Sequence, residues 1–365
     1  MYDVVIIGGG ASGLAAAIEL KMSSPNLSVA IFEKNDSLGK KLRATGNGRC
    51  NITNENAEGY NEIMEFFTKN GIVTRTYDNG LVYPYSESAA DVVDLLSERV
   101  RELGVEVKLN HAVTDLSEIE ARKIILAVGG KAGPDFGTIG DGYAMARSKG
   151  HSVVAPIPAL TGVECADWDT SLAGIRARAK VCLYKDETEA FGDETKVFEE
   201  LGEVQFTKYG LSGICIFNMT RHMRYNKADG ETLDQFLIRL DLFADGEIRE
   251  YLAGSAAAGH AAGAASLRTL LRPALADFVI KRGVDSVHSL EFRPSRIRGW
   301  RDAQVTSGGV PLSEINGETC ESRICAGLYI TGELLDYDGP CGGYNLSNAW
   351  LTGIHAAKDI NEKLK

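Results

Sequence analysis

The chain opens on an unbroken apolar run, YDVVIIG, of strand length. A run without polar alternation is the pattern of a central parallel strand buried on both faces. ASGLAAAIELKMS follows, with Leu14, Ala17, Ile18 and Met22 on one face at helical spacing. NLSVAIFEK is a second β-rich run that ends near Glu33. Strand, tight turn, helix and strand predict a βαβ unit with a right-handed crossover. SAADVVDLLSERVRELG (88–104) predicts an amphipathic helix, with Ser86 or Ser88 near its N-terminus as a cap. RKIILAVGG (122–130) reads as another buried strand, and GDGYAMARSKGH (140–151) as a glycine turn and a short helix.

From about residue 156 the pattern changes. RAKVCLYK and GEVQFTKYGLSGICIFNMT read as short strands between polar turns. Residues 226–290 read as mostly helical, including the small-residue stretch GSAAAGHAAGAASLRTLL. After about residue 300 the first pattern returns. AGLYITGE is a buried strand ending in Gly-Glu, and GGYNLSNAWLTGIHAAKDINEKL is a helix opened by glycines. The expected fold is α/β: a discontinuous Rossmann-like domain of residues 1–155 and 300–365, a β-rich second domain of 156–225 and 290–299, and a small helical insert of 226–289.

Charge and composition narrow the function. With 39 basic and 50 acidic residues the net charge is −11, which disfavours a general nucleic-acid or anionic-membrane binder. The seven cysteines show no CxxC pair, so neither a disulfide framework nor a zinc site is indicated, and no metal is expected. MYDVVIIGGG lacks the pattern of a secretion signal and no apolar run has membrane-spanning length, so a cytoplasmic protein with no membrane association is expected.

Gly8-x-Gly10-x-x-Gly13 lies between the first strand and helix. The first glycine permits the sharp turn, the second lets backbone approach a pyrophosphate, and the third lets helix and strand pack closely. Glu33, twenty residues past Gly13, is placed to accept from a ribose hydroxyl. That fingerprint does not separate NAD from FAD. The far end of the chain does: TGE closing a strand before a helix opened by Gly342-Gly343 resembles the second dinucleotide motif of two-motif flavoproteins. The loop GKKLRATGNGRCNITN (39–54) follows Glu33 and should lie beside the same cofactor. Its glycines allow close backbone approach, and Lys40, Lys41, Arg43 and Arg49 are candidates to meet phosphate or an anionic substrate. Cys50 reads as a small buried residue rather than a redox thiol.

These stretches, with GLVYPYSESAADVVDLL, GTIGDGYAMARSKGH, FTKYGLSG, VTSGGVPLSEI and GLYITGELLDYDGPCGGYNLSNAWLTG, resemble the BaiN/YhiN-type, or aminoacetone-oxidase-like, flavoproteins over residues 3–354. The resemblance implies one noncovalent FAD, a discontinuous flavin domain, a β-rich second domain and a helical insert that helps form the substrate pocket. It implies that Gly8, Gly10, Ala11, Ser12, Gly13, Glu33 and Lys34 meet the adenosine half and pyrophosphate, and that Lys41, Gly46, Arg49, Cys50 and Asn51 line the flavin side. Val113 is expected in a strand that meets adenine, and Ala127, Gly129 and Gly130 at the end of the next cofactor-facing strand. Gly332, Glu333, Gly342, Gly343, Tyr344 and Asn345 are expected to hold the ribityl chain and isoalloxazine. The helical insert is short against relatives, and Cys341 stands where they commonly carry tyrosine or threonine.

The expected function is an FAD-dependent oxidoreductase acting on a small molecule by hydride transfer at flavin N5. Two reactions stay open: reduction of an activated C=C bond with NAD(P)H as a transient donor, and oxidation of a small amine to give hydrogen peroxide. Flavin-dependent tRNA modification and non-catalytic flavin binding stay open from other classes. Tyr83, Tyr85, Tyr209 and Tyr344 are the candidate proton donors. His151 and His355 read as helix-end and surface residues, and His260 as a capped or exposed residue. Asp336 and Asp338 read as turn formers.

Overall fold

The computed structural model describes residues 1–186, 188, 190–225, 231–244 and 264–365. They form two compact units, Met1–Ile157 with Gln304–Lys365, and Pro158–Ala303.

The first unit is built on a parallel sheet. Among the described residues its strand order is Leu328–Ile330, Ala121–Leu126, Tyr2–Ile7, Val29–Phe32 and Glu106–Lys108. The register runs Val4↔Val29 to Ile7↔Phe32 on one side of the first strand and Val4↔Lys123 to Ile7↔Leu126 on the other. Val4, Val5 and Ile6 are fully buried, as an uninterrupted apolar run requires. The chain leaves the first strand towards Val29–Phe32 and later returns on its other side at Ala121–Leu126. That reversal is a topological switch point, where ligands of open α/β sheets bind beyond the carboxyl ends of the strands.

The helix Ala11–Ser23 is buried almost all round, Ala15, Ala16 and Leu20 as fully as the expected face of Leu14, Ala17 and Ile18. Its second face is covered by the C-terminal helix, Tyr344–Leu364: a Cβ built on Gly353 would lie 2.3 Å from Ser12 O. The helix Ala89–Glu102 keeps the expected amphipathic pattern and is capped by Ser88, whose Oγ accepts from the Asp91 amide at 3.2 Å. A small antiparallel sheet pairs Leu81–Pro84 with Thr53–Asn54 and with Thr74–Thr76.

The second unit carries an antiparallel sheet. Its described strands run in the order Leu290–Phe292, Phe236–Asp241, Arg176–Lys185, Lys196–Phe206, Gly210–Ser212, Val163–Cys165 and Pro294–Ile297. Phe236–Asp241 corrects the helical reading of 226–289. It pairs on both sides, with Lys180–Lys185 and with Leu290–Phe292, and buries residues on both faces, so no period of two is visible in FLIRLD. Helices do occur at Ala264–Leu270 and Pro273–Arg282. The rest of the helical reading, with His260, lies outside the described residues. No helix among the described residues is long and apolar enough to cross a membrane.

Candidate functional site

The three fingerprint glycines occupy three different environments. Gly8 has φ +104°, and a Cβ there would sit 2.4 Å from Ala127 O, so the turn presses directly on the end of the neighbouring strand. A Cβ on Gly13 would sit 2.0 Å from Gly8 O, so only hydrogen fits between helix and turn. A Cβ on Gly10 would meet nothing within 4 Å. Gly10 is the N-cap of a thirteen-residue helix, where unpaired amides and the helix dipole favour negative charge. Glu33 is buried beside this turn: Oε2 accepts from the Gly9 amide at 2.8 Å, and Oε1 from Asn35 N and Nδ2 at 2.8 and 2.7 Å. A carboxylate has about four acceptor sites, so room is left for a hydroxyl. Lys34 turns to Asp141, 2.5 Å away.

The cations of the 39–54 loop divide. Lys40 pairs with Asp36 at 2.9 Å and Arg43 with Asp94 at 2.5 Å, both on the outer surface. Arg49 lies over the Tyr83 ring at 4.7 Å and near Glu87 at 3.6 Å. Lys41 alone of the four reaches the far end of the chain, its Nζ 2.5 Å from Glu333 Oε2. The turn is made by left-handed backbone at Gly46, Asn47, Gly48 and Cys50, and a Cβ on Gly46 would lie 2.9 Å from the Asn51 amide. Cys50 is fully buried and burial pushes its thiol up to about 12, so it is no thiolate nucleophile.

The loop is then clasped by the C-terminal segment. With its amide oriented to match its neighbours, oxygen towards the donor and nitrogen towards the acceptors, Asn51 donates to Val82 O and Thr53 O and accepts from the Gly343 amide at 3.0 Å. Asn54 Nδ2 donates to Gly342 O at 3.1 Å, Thr53 and Ser347 hydroxyls meet at 2.7 Å, and Trp350 Nε1 donates to Ile52 O at 3.0 Å. A Cβ on Gly343 would strike Thr53 backbone at 2.6 Å. Asn345 bonds the 339–340 turn through both ends of its amide. Tyr344 is the first residue of the helix. Gly332, at φ +67°, lies against Ser12, a Cβ there falling 2.9 Å from its Oγ.

Beside Glu333 lies a residue that the sequence reading passed over. Thr306 donates its amide to Glu333 Oε1 at 2.9 Å, and its Oγ1 accepts from the amides of Lys131 and Ala132, just past Gly129-Gly130. Thr306 and Ser307 are fully buried side by side in the strand Val305–Gly309, but no local sequence pattern marks them, because the groups they meet are distant along the chain. Ser347 and Trp350 were missed for the same reason: their partners are remote in sequence.

Other expectations need correction. Val113 is not in a strand, since the strand ends at Lys108. Its side chain helps line a cavity of 340 Å³ with Tyr2, Phe32, Lys108 and His111. His151 does follow a helix end, that of Gly142–Ser148, but it is buried there, with Nδ1 2.8 Å from Glu314 Oε2 and Nε2 2.7 Å from Ser322 Oγ. Tyr85 is 62% exposed, Tyr83 is held under Arg49, and Tyr209 lies in the second unit under Arg298. Asp336 accepts from the Gly308 amide at 3.1 Å.

The family model described as "HI0933-like protein Rossmann domain" matches residues 2–61 and 58–359. The chain belongs to the HI0933-like family of Rossmann flavoproteins. It is a flavin-dependent oxidoreductase. It is 33% identical to the 3-dehydro-bile acid delta(4,6)-reductase of Clostridium scindens, with all of both chains covered. It is 25% identical to the ribosomal RNA dihydrouridine synthase of Haemophilus influenzae, with 98% of each covered. In fold it is similar to the 3-ketosteroid delta1-dehydrogenase of Sterolibacterium denitrificans, with a TM-score of 0.50, 13% identity and 99% of both chains covered. The second relative removes the support for excluding nucleic acid. Net charge sums the whole surface, whereas RNA is held by local groups.

The HI0933-like fold of this chain fits a dinucleotide on structural grounds. The open space over Gly10 at a helix N-terminus can take a pyrophosphate, and Glu33 beside it retains acceptor capacity for a ribose. At the other end of the site, Glu333 and Lys41 supply an acceptor and a donor within one ion pair.

Proposed function

We propose that this chain is an FAD-dependent reductase of a carbon–carbon double bond conjugated to a carbonyl. One observation carries the reading. Two relatives that cover nearly the whole chain are named for reactions on chemically distant molecules, a 3-oxo steroid and a uridine in RNA. Both saturate a double bond in conjugation with a carbonyl, so the shared element is the reaction rather than the substrate.

In this reading the unit of Met1–Ile157 and Gln304–Lys365 is the flavin-binding domain. Gly8, Gly10, Ala11, Ser12, Gly13, Glu33 and Lys34 hold the adenosine half and pyrophosphate. Lys41, Gly46, Arg49, Cys50, Asn51, Gly129, Gly130, Gly332, Glu333, Gly342 and Gly343 surround the flavin half. Bound there and reduced by two electrons from its donor, the flavin would supply hydride for the carbon β to the carbonyl. The protein orients the alkene, excludes water and delivers a proton to the α carbon. Tyr344, beside Gly342-Gly343, is the tyrosine best placed along the chain for that proton. NAD(P)H is the proposed electron donor.

The test is anaerobic mixing of the yellow holoprotein with NADH, NADPH and a panel of small amines. Bleaching of the flavin by a nicotinamide, followed by reoxidation with a conjugated enone or a uridine-containing ribosomal RNA fragment, is the expected result. Bleaching by an amine, with hydrogen peroxide formed on admitting oxygen and no response to either nicotinamide, replaces the reductase with an oxidase.

A further inference from the structure

Thr306 ties together three stretches of chain that are far apart in sequence. It is fully buried in the strand Val305–Gly309. Its Oγ1 accepts from the amides of Lys131 at 2.7 Å and Ala132 at 3.0 Å. Its own amide donates to Glu333 Oε1 at 2.9 Å, while Glu333 Oε2 meets Lys41 Nζ at 2.5 Å. On the Gly130 side this junction leaves no room for a methyl group. A Cβ on Gly130 would fall 2.4 Å from Thr306 Oγ1 and 2.9 Å from Glu333 Oε1.

A hydroxyl oxygen has two lone pairs, and the two amides occupy both. The hydroxyl therefore pins the 130–132 turn to the strand whose amide aims Glu333. Valine would keep the shape and leave two buried donors unpaired, whereas serine would keep the acceptor.

We propose that Thr306 is a positioning residue: its hydroxyl locks the 130–132 turn so that Glu333 and Lys41 are held ready for the ribityl and flavin half of the cofactor. The inference rests on the flavin reading above, but it concerns affinity rather than substrate or reaction. It assigns to Thr306 no contact with the reacting atoms.

The experiment titrates FAD into the apo form of the full chain and follows quenching of flavin fluorescence, with thermal unfolding of each apo protein measured in parallel. Loss of a buried acceptor should weaken FAD binding in Thr306→Val by about tenfold or more. Thr306→Ser should stay within about threefold of wild type. In a Glu333→Gln background, Thr306→Val should add less than about twofold, because the hydroxyl acts through that carboxylate. Gly130→Ala, whose new methyl meets the same oxygens, supplies the second variant if Thr306→Val does not fold, and it too should weaken binding.

Wild-type affinity in Thr306→Val overturns the proposal. So does equal loss in valine and serine variants, a fully additive effect in the Glu333→Gln background, or a lowered apo melting temperature with unchanged FAD affinity. Unchanged affinity in Gly130→Ala overturns it as well. A wild-type protein that does not bind FAD defeats the flavin reading itself, a separate result.

Discussion

A methyl group added at Gly10 and one added at Gly13 would have opposite fates. At Gly13 it would meet Gly8 O at 2.0 Å, whereas at Gly10 it would stand in open space on backbone of ordinary φ, −82°. Gly13→Ala should therefore lower the melting temperature of the apo protein. Gly10→Ala should leave it within about 1 kcal/mol of wild type and yet weaken FAD binding severalfold, because its methyl occupies the space left for the pyrophosphate. Melting curves and FAD titrations of the two variants separate packing from ligand clearance. These roles were legible in the spacing of the glycines, because turn, approach and packing each follow from the absence of a side chain. Thr306 was not, because nothing local marks a buried threonine whose partners lie 175 and 27 residues away. The thiols give a second test at this scale. Burial pushes Cys50, Cys165 and Cys320 up to about 12 and Cys215 up to about 11. None of these four should react with an aromatic disulfide at pH 8 in the native protein, and all should react on denaturation. Their thiols ionise more readily in the unfolded chain, near pH 8.5–9, so unfolded protein binds fewer protons above that range. The contribution of these thiols to stability is thus complete below about pH 8.5 and is lost as pH rises towards about 12, which urea titrations across that range would register.

At the scale of elements, the strand Thr53–Asn54 and the start of the C-terminal helix form one assembly. Trp350 is fully buried and donates to Ile52 O. Trp350→Phe keeps most of the apolar volume but leaves that carbonyl unpaired, a loss of about 1–3 kcal/mol. Trp350→Ala adds a cavity and should cost about 3–5 kcal/mol. Chemical denaturation of the two variants checks both the size and the order. The existence of the first strand and helix, of the 88–104 helix and of the glycine-opened final helix was legible because each carries a local signal: an unbroken apolar run closed by glycines, apolar residues at helical spacing, a serine cap, or opening glycines. Phe236–Asp241 was not, since a strand flanked on both sides and buried on both faces shows no alternation. The burial of His151 was equally invisible, because it depends on Glu314 and Ser322, well over a hundred residues away.

For the whole molecule, an FAD that binds the native state and not the unfolded chain raises apparent stability by mass action. At a free concentration one hundred times its dissociation constant it should add about 2.7 kcal/mol, read as an upward shift in the thermal transition. Net charge was the least informative property at this scale. A total of −11 counted against a general nucleic-acid binder, while a relative of similar extent is named for work on ribosomal RNA.

Lys41 and Glu333 are 292 residues apart and 2.5 Å from each other. The ribosome makes Glu333 long after Lys41, so a nascent chain stalled before residue 333 cannot form the pair. Cofactor loading should therefore wait until the last segment has left the exit tunnel. Stalled chains of graded length, incubated with FAD, should acquire the flavin only once the final helix is free.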